Sequence, residues 1–153
     1  MNNTLRSGAY AGVIAALAFG VIMLATSPAT IGMIASLYGA SGTVAGFIIH
    51  LVHGALIGGL FGFLVSPDLS KTMSAVYGLL YGAIWWVLGP ILIMPTWLGA
   101  GPRLSGSGIQ EALPSLPGHL VFGLVLGLLF IAFNVVPEAH EEVVDHENVN
   151  NKQ

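Results

Sequence analysis

No cysteine occurs in the 153-residue chain, which excludes disulfides, thiolate metal ligands and iron–sulfur clusters and leaves the redox compartment unmarked. Charge is nearly as scarce. Only 7 % of the residues are Asp, Glu, Lys or Arg, against about 25 % in soluble globular proteins. The deficit is concentrated: no charged side chain lies from Ser7 to Pro67, from Thr72 to Pro102, or from Ala112 to Pro137. A spanning helix needs about 20 apolar residues, so the first gap holds two spans and each of the others one. The net charge of −3 comes mostly from the C-terminal tail, and no basic face suits nucleic acid. The spans contain no nucleophile–base pair, no phosphate loop and no carboxylate, which makes an enzyme the least favoured class.

The spans are expected at roughly Gly8 to Leu24, Val44 to Val65, Met73 to Met94 and Leu116 to Val136. Arg6 before the first apolar run also fits a cleavable signal peptide, the less favoured alternative because the third span shares the first span's glycine and threonine pattern. Pro95 and Pro137 close the third and fourth spans, and Pro117 suits a first helical turn. Pro90 falls inside the third span, where it removes a backbone donor and predicts a kink.

The most informative feature is a repeat. His50 to Phe61 reads HLVHGALIGGLF and His119 to Phe130 reads HLVFGLVLGLLF, identical at 7 of 12 positions with an offset of 69. A weaker echo with an offset of 70 carries Gly8, Gly12 and Thr26 onto Gly78, Gly82 and Thr96. The expected fold is an all-α membrane protein with four transmembrane helices as two tandem helix-hairpin repeats, about 8–65 and 73–136, in one domain over 1–137. Each copy crosses the membrane twice, so the copies should run parallel about a pseudo-twofold axis along the membrane normal. Residues 138–153 are acidic, polar and rich in asparagine, and are expected as a solvated cytoplasmic tail.

Orientation rests on four cations. Arg6, Lys71 and Lys152 fall on one side of this topology and Arg103 on the other, so the positive-inside rule places both termini in the cytoplasm of a prokaryotic cell, with the chain in its inner membrane. The two outer connections, Thr26 to Thr43 and Thr96 to Ser115, are long and carry apolar residues such as Ile31, Met33, Leu37 and Trp97. They are expected against the membrane surface or dipping into the bundle.

Small residues recur every four positions: Gly8, Gly12, Ala16 and Gly20; Gly46, Gly54, Gly58 and Gly62, with His50 at the missing step; Gly78 and Gly82; Gly123 and Gly127, below His119. In lipid such stripes let helix backbones approach closely. A tightly packed bundle is the favoured meaning, and a pore or carrier with sliding helices the alternative.

His50, His53 and His119 are the readily ionisable groups of the spans besides tyrosines. His50 and His119 stand at equivalent repeat positions in the outer part of their helices, while Phe122 replaces the counterpart of His53. The favoured role is structural: His50 and His119 bond each other, an outer-loop backbone or water, and join the two copies. A second alternative gathers His50, His53 and His119 around copper or zinc, with Glu111, Met33 or Met94 completing the ligands. A third makes His50 and His119 axial ligands of a b-type haem, against which the glycine stripes argue by leaving little room for a porphyrin. His140 and His146, among the tail carboxylates, offer at most a loose cation site. Asn2-Asn3-Thr4 matches a glycosylation acceptor by chance if the N-terminus is cytoplasmic. Around Pro90 lie Tyr81, Trp85, Trp86, Pro95 and Trp97: Trp97 fits an interfacial anchor, while Trp85 and Trp86 sit deeper, where a quinone or lipid pocket is the functional alternative.

With the histidine-glycine helices and the WWVLGPILIMPTWLG run of the third span, the chain resembles small prokaryotic four-helix membrane proteins, among them YagU-like inner-membrane proteins. The resemblance covers the spans and implies the architecture, with no catalytic residue or substrate attached. The expected function is a non-enzymatic accessory or scaffold subunit of a larger membrane assembly, partnered by the lipid bilayer and by other membrane subunits or further copies of itself. A small carrier or channel is the runner-up, followed by a haem- or metal-binding subunit.

Overall fold

A computed structural model of the chain describes residues 3–134. The tail expected over 138–153, Asn2 and Lys152 lie outside the described residues. In chain order the helices are α1 (Asn3–Thr26), α2 (Pro28–Ser36), α3 (Thr43–Leu64), α4 (Lys71–Trp86), a π-helical turn (Val87–Ile93), α5 (Met94–Trp97), α6 (Gly106–Ala112), a 3₁₀ turn (Leu113–Ser115) and α7 (Leu116–Asn134). No strand occurs among the described residues. Four stretches are long and apolar enough to cross a membrane: Asn3–Thr26, Thr43–Leu64, Lys71–Trp97 and Gly106–Asn134. Even the shortest, with 22 residues, rises about 33 Å at 1.5 Å per residue, enough for a hydrocarbon layer of about 30 Å.

The distribution of side chains is that of a lipid-facing bundle. Val21, Val44, Leu56 and Phe63 are 63 %, 76 %, 66 % and 70 % exposed, an arrangement that water would oppose and lipid accepts. The interior holds small residues and rings: Ala11, Ala15 and Ala16 with Phe19, Phe61, Phe122 and Phe130. Phe61 and Phe130, the last residues of the two matching twelve-residue segments, meet edge to face with centroids 5.4 Å apart, a favoured aromatic geometry.

The glycine stripes are used inside each hairpin. A Cβ at Gly12 would lie 2.1 Å from the carbonyl oxygen of Gly54, and one at Gly8 would lie 2.3 Å from that of Gly58. In the second hairpin a Cβ at Gly78 would lie 2.2 Å from the Gly123 oxygen, and one at Gly82 2.3 Å from the His119 oxygen. The two hairpins therefore differ in register. Gly8 meets Gly58, but its counterpart Gly78 meets Gly123 instead of Gly127, the residue matching Gly58. The slip is one helical turn, about 6 Å. Its cause lies at Gly62, which packs on the Thr4 carbonyl; the matching position in α7 is Ile131, too large for such an approach. Instead α4 places Ser74 against Gly127, and the Ser74 hydroxyl donates to the Gly127 carbonyl at 2.7 Å.

The joining of the hairpins is also unequal. Backbone packing is close between α1 and α7, whereas no comparable packing joins α3 to α4 among the described residues. Side chains bridge that pair instead: the Tyr81 hydroxyl donates to the Ile57 carbonyl at 2.8 Å, and Tyr81 packs on Phe61 at 5.1 Å. Tyr81→Phe keeps the ring and loses the bridge, so a loss of about 0.6 kcal/mol is expected, typical for a hydrogen bond between membrane helices. Reversible unfolding in mixed micelles measures it, and a loss above about 2 kcal/mol would mean that the bridge does more than tie two helices.

The two long connections carry short helices that pack on the bundle. α2 enters on Pro28 and seats Ile31 and Ala35, both fully buried, against α3, where a Cβ at Gly46 would lie 1.9 Å from the Ile31 carbonyl oxygen. Gly42, with φ at +89°, turns the chain into α3 in a conformation that favours glycine. The kink expected at Pro90 takes the form of the π-helical turn, a wider coil that accommodates the missing donor.

Candidate functional site

Where α3 and α4 part, a cavity of about 480 Å³ opens in the half of the bundle that carries α2 and α6, within the usual range for small-molecule sites. Its inner walls are Phe19, Ile57, Trp85 and Phe122. α2, α6 and the segment between α5 and α6 cover its outer side. Leu56 and Ile93 belong both to its wall and to the exposed apolar residues, which puts that part of the wall at the apolar surface of the bundle.

His50, His53, His119, Glu111, Met33 and Met94 all line this one cavity. They do not converge on a point: no group of three His, Asp or Glu residues is placed to hold a metal ion among the described residues. The His50 Nε2–H donates to the Ala16 carbonyl of α1 at 3.0 Å, and the His119 Nδ1–H donates to the Ser115 carbonyl at 2.9 Å. The two rings do not bond each other. Phe19 stands between them, with edge contacts at 5.3 Å to His50 and 4.7 Å to His119. A haem ligated by both would need the place that the Phe19 ring holds. Phe19 reaches that place because Gly118 leaves it room; a Cβ there would lie 2.0 Å from the ring.

His53 bonds the Tyr38 hydroxyl at 2.6 Å, which ties the turn after α2 to α3. On the opposite side Arg103 anchors the outer segment to the π-helical turn: its backbone N–H donates to the Ile91 carbonyl at 2.8 Å and its guanidinium to the Pro90 carbonyl at 3.2 Å. Pro95 has no N–H to return to the carbonyl four or five residues before it, Ile91 or Pro90, and Arg103 engages both carbonyls. Arg103 also pairs with Glu111 at 3.6 Å, an exposed contact worth under about 1 kcal/mol.

Sequence reasoning missed Phe19, Tyr38 and the two carbonyl acceptors. Phe19 reads as one more apolar position, and a carbonyl has no residue signature. Because Ala16 lies inside α1, its carbonyl keeps its helical bond when the imidazole is removed. His50→Leu is therefore expected to cost only about 1 kcal/mol, measured by unfolding in micelles; a loss above 3 kcal/mol would point to a binding partner lost along with the ring.

The chain belongs to the DUF6789 family. The model of this family of unknown function matches residues 2–141, which include the four long helices and every residue of the cavity wall. No curated protein and no solved structure matches the chain. The part shared with DUF6789 is thus the whole bundle with its cavity.

Proposed function

We propose that the protein is a non-enzymatic multi-pass membrane protein that takes one amphipathic, lipid-soluble molecule from the bilayer into the cavity between α3 and α4, as a binding protein or small carrier. The observation behind this is the unequal joining of the hairpins: α1 and α7 close on each other, while α3 and α4 leave a cavity with apolar inner walls, polar groups at its outer end and, at Leu56 and Ile93, a wall at the apolar surface of the bundle. An apolar body would lie against Ile57 and Phe122, and a polar head near the histidines.

An accessory subunit of a larger assembly is the second reading. It loses its sequence support, since the glycines that suit helix contacts with neighbours already pack within the two hairpins. The proposal puts the chain in a prokaryotic cytoplasmic membrane with both termini inside, a reading supported by Arg6, Lys71 and Lys152 on one side of the topology against Arg103 on the other. An impermeant thiol reagent on intact cells should then label Ala40→Cys and spare Ser66→Cys; the reverse pattern inverts the topology.

Titration with 12-bromododecanol, which quenches nearby tryptophan, tests the cavity through Trp85. Saturable quenching at one molecule per chain is expected. Gly89→Phe should abolish it, because a Cβ at Gly89 has no neighbour nearer than His119 Nε2 at 3.9 Å and a ring there fills the cavity. Non-saturable quenching, equal in both proteins, would overturn the proposal.

A further inference from the structure

The hydrogen bonds of the cavity wall are one-sided. A backbone carbonyl only accepts, so in the neutral ring of His50 the proton sits on Nε2, facing Ala16, and Nδ1 keeps a bare lone pair. In His119 the proton sits on Nδ1, facing Ser115, and Nε2 is bare. Neither bare nitrogen has a hydrogen-bond partner among the described residues, and no partnerless side-chain nitrogen or oxygen is sealed from the accessible space there. His119 Nε2 looks toward Gly89 on the π-helical turn, where the absence of a side chain leaves room in front of it.

Three of the donors that line the cavity are engaged with main-chain acceptors: the Thr26 hydroxyl donates to Ile22, the Ser115 hydroxyl to Ala112 and one Arg103 N–H to Pro90. The hydroxyls of Ser27 and Thr30, at the α2 end of the wall, have no acceptor among the described residues. At the two imidazoles themselves the cavity presents acceptors in need of a donor. A metal ion would also use bare imidazole nitrogens, but the candidate ligands surround a space of about 480 Å³ and do not meet at a point. An organic hydroxyl fits better. Phe19, Trp85 and Phe122 supply aromatic walls beside it, which favour a flat ring over a saturated chain at the polar end.

We infer that the cavity selects a lipid-soluble phenol or hydroquinone, its hydroxyl donating to His119 Nε2, its ring against the aromatic wall and its tail leaving toward lipid past Leu56. This rests on the proposed ligand-binding function and adds the chemistry of the head. The selection is for the donor: a hydroquinone carries O–H groups, whereas the corresponding quinone has only acceptors and would set a carbonyl oxygen against a bare lone pair. The step proposed is binding alone, with no electron transfer.

A matched pair of probes separates the two levels. Decylhydroquinone and decylquinone share a tail and a ring and differ in the hydrogens on oxygen. Their affinities for the full chain in lipid nanodiscs, measured by calorimetric titration under anaerobic conditions, are expected to differ by roughly tenfold in favour of the hydroquinone, as an unmet lone pair against a made hydrogen bond implies. In His119→Leu the preference should vanish while the quinone binds as before. Differences in membrane partition are the same for both proteins and cancel in that comparison. Equal affinity of the two probes for the unaltered chain would overturn the donor assignment and leave the cavity reading standing. If the two probes and 12-bromododecanol all fail to saturate, the binding function itself falls. If His119→Leu does not fold, the ratio of the two affinities in the unaltered chain still decides, and the cavity-filling Gly89→Phe should remove both.

Discussion

Gly12→Val is expected to destabilise the bundle by about 3 kcal/mol or more, at or above the upper end of the range for overpacking. A Cβ at Gly12 would lie 2.1 Å from the Gly54 carbonyl oxygen and 2.8 Å from the Gly58 Cα. Those atoms are backbone, so no side chain can swing aside and α1 must move off α3. The reference substitution is Gly32→Ala in α2, where nothing lies within 4 Å of the added Cβ and helix propensity predicts a gain of about 0.5–1 kcal/mol. Unfolding of both variants in mixed micelles makes the comparison. If the two shift stability by similar amounts, close packing of α1 on α3 does not hold the first hairpin together.

Phe19→Ala is the second large effect. The ring fills the space between His50 and His119 and occupies the recess left by Gly118, with 7 % of its surface exposed. Its removal should cost about 3 kcal/mol, the lower end for a buried phenylalanine, and should enlarge the cavity toward α1. A coupled test isolates the recess. Gly118→Ala drives a methyl group into the ring and should be destabilising alone, but should add little to the cost of Phe19→Ala, because the clashing atoms Cδ2 and Cε2 are then gone. Simple additivity of the two changes would show that Phe19 does not depend on the recess at Gly118.

The four long helices were legible because the signal is cumulative: dozens of consecutive uncharged residues leave no other stable placement. Glycine spacing likewise announced close helix contacts, since at Gly8, Gly12, Gly78 and Gly82 only hydrogen fits. It did not say which glycine meets which. The one-turn slip of the second hairpin depends on Ile131 standing where Gly62 stands in the first, one position beyond a twelve-residue match that by itself predicts equal registers. The opening between α3 and α4 was less legible still, because it is the absence of a contact. Its position beside Pro90 and Trp85 was foreseeable from the proline and the deep aromatics. The histidines stood out in the sequence as a locking pair or as ligands, not as the lining of a cavity; the partners of His50 and His119 are the carbonyls of Ala16 and Ser115, which carry no sequence signature. The short helices α2 and α6 were expected only as apolar connections near the bundle, because helices of nine and seven residues owe their stability to tertiary packing more than to propensity.

The unequal joining of the two hairpins is tested most directly by thiol accessibility at one matched pair of positions. The chain has no cysteine of its own, so Ile57→Cys and Leu126→Cys each introduce a single thiol. The offset of 69 relates the two positions, yet Ile57 lines the cavity while Leu126 is fully buried. In nanodiscs, N-ethylmaleimide should modify the thiol of Ile57→Cys readily and that of Leu126→Cys only after unfolding, and 12-bromododecanol should protect the former. Equal reactivity at the two positions, with no protection by the alcohol, would contradict the cavity between α3 and α4 and the function proposed for it.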